Sequence, residues 1–115
     1  MVTDIFCKII NGEISAEIFW QDEDFLVIKD IHPQAPVHLL IISKRHIGDL
    51  KEVGVGDSAL LGKIFLIAEQ VAKQAGISES GYRLIINEGE HAGKLVPHLH
   101  VHLLGGKELG AKIVQ

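Results

Sequence analysis

The strongest constraint on the fold is a run of alternating histidines near the end of the chain: Pro97-His98-Leu99-His100-Val101-His102-Leu103-Leu104-Gly105-Gly106. Successive side chains of a β-strand point to opposite faces, so the imidazoles share one face while Leu99, Val101 and Leu103 share the other. Three of the seven histidines therefore stand on one side of one strand. That placement predicts a chemical surface rather than a core, because imidazole titrates closest to neutral pH.

The rest of the chain reads as one α+β unit without repeats or linkers. Thr3 or Asp4 is expected to cap a short helix carrying Ile5, Phe6, Ile9 and Ile10 and stopped near Gly12. Glu17 to Gln21 and Phe25 to Lys29 read as strands joined by the acidic turn Asp22-Glu23-Asp24. Pro33 and Pro36 mark a loop, and the apolar run His38 to Ser43 reads as a central strand. The longest helix is predicted over Ser58 to Gln74, capped by Asp57 and closed by Gly76. Its apolar stripe is Leu61, Ile64, Phe65, Ala68, Val71 and Ala72. Tyr82 to Asn87 is the fourth strand, a turn-rich loop with Gly89 and Gly93 follows, and the histidine strand is the fifth. The expected architecture is a five-stranded antiparallel sheet packed by helices on one face.

Composition narrows the function. At 115 residues the chain is one domain, and its formal net charge of −4 argues against nucleic acid, whose phosphates need a basic footprint. No apolar run approaches the ~20 residues that would span a bilayer, so no membrane role is expected. Met1-Val2-Thr3-Asp4 carries no signal-peptide pattern, and Cys7 is the single cysteine. With no intramolecular disulfide available, a reducing, cytoplasmic setting is expected.

Three chemical readings of the histidine strand compete. The first is solvated surface histidines. The second is a metal site, since His-x-His on a strand can place two imidazoles on one zinc. Asp and Glu are absent from Leu95 through Gly106, so tertiary contacts from His38, His46 or Cys7 would have to complete it. The third is nucleophilic catalysis, in which a neutral imidazole with one nitrogen free and the other held as N–H attacks phosphorus. The glycines of the preceding loop let backbone N–H groups approach an anion.

His98-Leu99-His100-Val101-His102-Leu103-Leu104 resembles the signature of the histidine triad (HIT) family of nucleotide hydrolases and transferases. Asp4 to Ile14 is similar to that family's N-terminal helix, and Asp30-Ile31-His32-Pro33-Gln34-Ala35-Pro36-Val37-His38 to its nucleoside-binding turn. Lys44-Arg45-His46-Ile47 and Asn87-Glu88-Gly89 extend the likeness, and Leu103-Leu104-Gly105-Gly106 points to the Hint branch. The resemblance spans residues 1–115 as a single HIT domain.

It implies the following roles. His100 is the nucleophile that attacks the α-phosphorus of a purine nucleoside phosphoramidate or related nucleotide, its ring oriented by the carbonyl of His98. His98 and His38 form a supporting imidazole network behind it. His102 stabilises charge on the α-phosphate. Asn87, Gly93, Lys94 and Leu95 line the phosphate and leaving-group side, and Asp30 accepts from the ribose hydroxyls. Ile5, Phe6, Ile9, Ile14, Ile28 and Ile31 wall the purine pocket. Water releases the nucleoside monophosphate, and the route requires no cofactor and no metal. A nucleotide-binding regulatory module with little turnover and a zinc-dependent hydrolase are the alternatives.

Taken singly, these residues have plainer readings. Ile5, Phe6 and Ile9 would face a core on any helix, Asp30 and Asn87 are turn formers, and His38 could be a core histidine. His46, between Arg45 and Ile47, is expected to be an exposed loop residue, while His32 and His91 carry no assignable role.

The chain departs from the family pattern in three places. Relatives commonly present a hydroxyl near the leaving group where this chain has Gly93-Lys94-Leu95-Val96. Leu95 cannot donate a proton, so loss of an amine is expected to be slower, or acid catalysis to pass to an imidazole or water. Lys94 adds positive charge near the phosphate entrance. Relatives with Cys-x-x-Cys in the first helix use it in a zinc site, whereas here Asp4 takes the first position. No metal is therefore expected, Asp4, Cys7 and His46 being at most a weak site. The C-terminus lacks an aromatic found in some Hint proteins.

Leu60, Leu66 and Ile67 fall outside the long helix's main stripe, leaving it apolar on more than one face. A two-fold homodimer through this helix and the adjoining strand is expected, as the resemblance also implies.

Overall fold

The computed structural model describes residues 3–111 and 113–114. Helix α1, Ile5–Ile10, starts where Asp4 Oδ1 accepts the Cys7 N–H at 2.8 Å, a side-chain cap that satisfies one of the free donors of the first turn. Strands β1 (Ile18–Gln21) and β2 (Phe25–Lys29) are joined by a turn that Asp22 closes, its Oδ1 accepting from the N–H groups of Asp24 and Phe25 at 2.9 and 2.8 Å. Strand β3 is Val37–Ser43, helix α2 Ser58–Gln74, strand β4 Tyr82–Ile85 and strand β5 His100–Gly105. The sheet order is β1-β2-β3-β5-β4, every neighbouring pair antiparallel.

The pairing of β3 with β5 sets Leu40 opposite His102 and Ile42 opposite His100. These four side chains face α1. The intervening Leu39, Ile41, Val101 and Leu103 face α2 and form the larger core with Val27, Ile64, Ile67, Ala68 and Val71. Burying each of the larger aliphatic side chains there stabilises the fold by roughly 1.5–3 kcal/mol. The smaller core lies between α1 and the sheet, where Phe6 meets Leu26, Ile28, Leu40 and Ile42.

Several expectations need correction. Helices cover both faces of the sheet, not one: α1 is short, but Phe6, Ile9 and Ile10 give it an apolar side that must be buried somewhere, and α2 already occupies the other face. On α2 the buried stripe runs through Ile64, Ile67, Ala68, Val71 and Ala72, while Phe65 is 68% exposed and Leu66 74%. Asp57 precedes α2 but makes no side-chain cap. Its carboxylate is engaged by Arg45 at 2.9 Å and by the Gly54 N–H at 3.0 Å.

The fifth strand begins at His100, two residues later than its alternation suggests. His98 still keeps the phase, because Leu99 donates to the Ile47 carbonyl and accepts from the Ser43 N–H. Its ring is nonetheless fully buried, so the histidine face is partly core. Among the described residues no helix is long and apolar enough to cross a membrane.

Candidate active site

The α1 face of the sheet opens beside the smaller core into a cavity of about 290 Å³. His100 and His102 lie on its floor, contributed by β5. Ile5 and Phe6 of α1 form one wall, with Asp30 and Ile31 of the β2–β3 loop beside them. The β4–β5 loop supplies Asn87, Gly93, Lys94 and Leu95. Leu40, Val96 and His32 also line the space, none of them selected from sequence. Val96 and Leu40 carried no signal beyond apolarity. His32 follows the Asp30 turn and is brought in when Asp30 Oδ1 accepts its N–H at 2.8 Å.

His100 is held in one tautomer. Its Nδ1 is 2.6 Å from the His98 carbonyl, an acceptor only, so Nδ1 carries the hydrogen and Nε2 keeps a free lone pair. Phe6 stands edge-on to the ring with centroids 5.0 Å apart. Burial of the imidazole, against the opposing pull of its bond to the His98 carbonyl, holds its pKa below the ordinary histidine value. His100 is therefore neutral at neutral pH, the form in which nitrogen is a nucleophile.

His102 is set by a second relay. The Gln34 N–H donates to His38 Nδ1 at 3.0 Å, which leaves the hydrogen of neutral His38 on Nε2. That Nε2–H points at His102 Nδ1, 2.9 Å away, with Asp30 Oδ2 at 3.3 Å. His102 thus accepts at Nδ1 and keeps its own N–H on Nε2. Burial, and then the neighbouring His100 and His38, hold its pKa below the ordinary value.

The supporting network consequently differs from the expected one. His38 and His98 do not meet; His38 serves His102, and His98 serves His100 through its carbonyl alone. The His98 ring turns behind Phe6 to Asp4, its Nδ1 at 3.0 Å from Oδ2. His46 is not an exposed loop side chain, since its Nε2 reaches the same Asp4 oxygen at 3.1 Å. Sequence spacing carries no sign of either contact.

Of the expected purine-pocket residues, Ile9, Ile14 and Ile28 are absent from the cavity wall. Ile28 is buried under α1, Ile9 packs against that same core, and Ile14 is exposed beyond the helix end. Lys94 lines the cavity, but its ammonium is not a free charge at the entrance: Nζ donates to the Gly48 carbonyl at 2.6 Å and lies 3.3 Å from Glu88 Oε1. The Asn87 amide donates to the Ala92 carbonyl at 2.7 Å, pinning the loop that places Gly93. Leu95 stands at the mouth, 92% exposed.

The family model for the HIT domain matches residues 11–109. The purine nucleoside phosphoramidase of Escherichia coli K12 is 45% identical over 106 residues, covering 92% of this chain and 89% of that protein. A HIT family hydrolase from Clostridium thermocellum superposes with a TM-score of 0.91 at 50% identity, covering 96% of each chain. One from Legionella pneumophila gives a TM-score of 0.90 at 45% identity, over 94% of this chain and 96% of that one. With its histidine strand, its five-stranded antiparallel sheet and these likenesses spanning nearly its whole length, the chain belongs to the HIT family.

Proposed function

We propose that this protein is a nucleotide hydrolase that cleaves the bond from the α-phosphate of a purine nucleoside phosphoramidate or a related nucleotide, through a nucleotidyl-histidine intermediate. The observation that carries the reading is the tautomer of His100: Nδ1–H is held by the His98 carbonyl at 2.6 Å, so Nε2 is a lone pair on the floor of a nucleotide-sized cavity. The phosphoramidase so named in Escherichia coli supports the substrate class.

In the first step Nε2 of His100 attacks the α-phosphorus, a phosphorus–nitrogen bond forms, and the bond to the leaving amine breaks. The His102 Nε2–H donates to a phosphoryl oxygen as charge builds there. The amine must also take up a proton as it leaves. Leu95 cannot supply it, so His102 or water does. In the second step water attacks phosphorus, the bond to His100 breaks, and nucleoside monophosphate departs. Asp30 and the α1 wall hold the nucleoside, with Asp30 facing the ribose and Ile5, Phe6 and Ile31 the base. The exposed Phe65 and Leu66 on α2, beside an apolar groove of about 320 Å³, support a homodimer across that face.

Release of adenosine monophosphate from an adenosine phosphoramidate tests the reaction. The expected result is metal-independent turnover, abolished in His100→Ala. Tight binding of adenosine monophosphate without turnover would instead support a regulatory binding module, a reading favoured by the donor-less Leu95. Turnover that survives His100→Ala would defeat the proposal.

A further inference from the structure

The loop that carries Gly93 and Leu95 to the cavity is tied down by a charge pair that the chemistry leaves unused. Lys94 Nζ donates to the Gly48 carbonyl at 2.6 Å and lies 3.3 Å from Glu88 Oε1. The same Glu88 oxygen accepts the Leu50 N–H at 3.3 Å. Asp49 stands beside them, its carboxyl held below the usual carboxylate range first by a hydrogen bond with Glu88. Gly48, Asp49 and Leu50 all belong to the segment after β3. Among the described residues, every hydrogen bond from residues 87–97 to that segment ends on Lys94 or Glu88.

Two observations mark this junction as built into the fold. The Lys94 side chain is only 13% exposed, so its charge is screened less than that of a surface pair. Gly48 also permits a close approach: a Cβ there would meet the Pro97 carbonyl at 3.3 Å and Glu52 Oε2 at 2.8 Å. The bare backbone lets its carbonyl come within reach of Lys94.

We propose that Lys94 is a positioning residue: clamped between the Gly48 carbonyl and Glu88, its ammonium holds the β4–β5 loop against the segment after β3 and so fixes Gly93 and Leu95 in the wall of the cavity that His100 floors. Its consequence for rate rests on the reaction proposed above; the clamp itself does not. In that reaction the nucleoside is held from the other side, by Asp30 and α1. Loosening the clamp therefore leaves ground-state binding in place and spoils alignment in the transition state, so the loss falls on kcat rather than KM. The charge has a second effect. Burial is the main reason that His100 stays neutral, and the like charge of Lys94 adds to it, with His98 acting in the same sense and Asp4 opposing.

Lys94→Met keeps the aliphatic stem and removes the clamp. Expected are a kcat for an adenosine phosphoramidate about tenfold lower, with KM and the calorimetric Kd of adenosine monophosphate within about twofold of the original. The amides of Gly93 and of position 94, bonded within the loop to the Glu90 and Gly89 carbonyls, should exchange hydrogen about tenfold faster or more. Lys94→Arg keeps a donor and a charge and should restore most of the rate; Lys94→Gln keeps a donor alone and should restore less. A Kd that rises as far as kcat falls would place the ammonium on the phosphate itself. An unchanged kcat beside a lowered Tm would make the pair a merely structural bond. Either result overturns the proposal, as does unchanged loop exchange or a Lys94→Arg no faster than Lys94→Met. Should the original chain itself release no adenosine monophosphate, the reaction proposed above falls, and exchange at the loop still decides the clamp.

Discussion

Phe6→Ala joins stability to the chemistry of His100. Phe6 is 7% exposed and belongs to the smaller core with Leu26, Ile28, Leu40 and Ile42. Truncating a buried phenylalanine costs about 3–5 kcal/mol. Here one side of the ring already faces a cavity of about 290 Å³, so water can occupy the vacated space and the lower end, about 3 kcal/mol, is expected. For a chain of 115 residues that corresponds to a fall in Tm of roughly 10–15 °C. The same ring keeps solvent from His100, whose pKa is depressed first of all by burial. Its removal should raise the His100 midpoint toward the ordinary histidine value, and the acid limb of kcat/KM should move up with it. Differential scanning calorimetry gives the first quantity; histidine NMR titration and the pH–rate profile give the second. A melting temperature that falls while the His100 midpoint stays still would refute the argument that Phe6 sets the state of the nucleophile.

Three further outcomes follow from the geometry. Leu95→Ser should raise turnover of substrates with amine leaving groups tenfold or more and leave those with phenolate leaving groups unchanged, since only the amine needs a proton; parallel kcat measurements on the two classes decide it. Because His100 and His102 have folded-state pKa values below the ordinary 6.5, the unfolded chain takes up protons first as pH falls. Their contribution to stability is therefore intact above about pH 7 and declines below about pH 6.5 toward the folded values; a Tm series in which His102→Gln shows the same decline would contradict this. Gly105→Ala places a methyl group 2.6 Å from Ile77 Cδ1 and 3.2 Å from the Gly81 carbonyl, inside a packed strand, and should cost about 1–3 kcal/mol in chemical denaturation.

Much of the fold was legible because it is written in local periods. The alternation at His98 to Leu103 assigned faces to β5, and the structure keeps that phase even where the regular strand has not begun. The span of α2, the acidic turn at Asp22 and the cap at Asp4 are decided within a few residues of chain. Phe65 and Ile67 exchanged places because a stripe read on a helix wheel has soft edges, and only the sheet beneath decides which edge is covered.

The residues at the site divide in the same way. Sequence alone determined that imidazoles would gather on one face of one strand, since a period of two admits no other arrangement. Only the tertiary structure decided what each imidazole does there. His38 reaches His102 across 64 positions and His98 reaches Asp4 across 94, while the His98 carbonyl sets the tautomer of His100 and the His38 ring that of His102. The period of a strand states which way a side chain points; the hydrogen-bond partner it finds depends on which distant segment the fold lays across it.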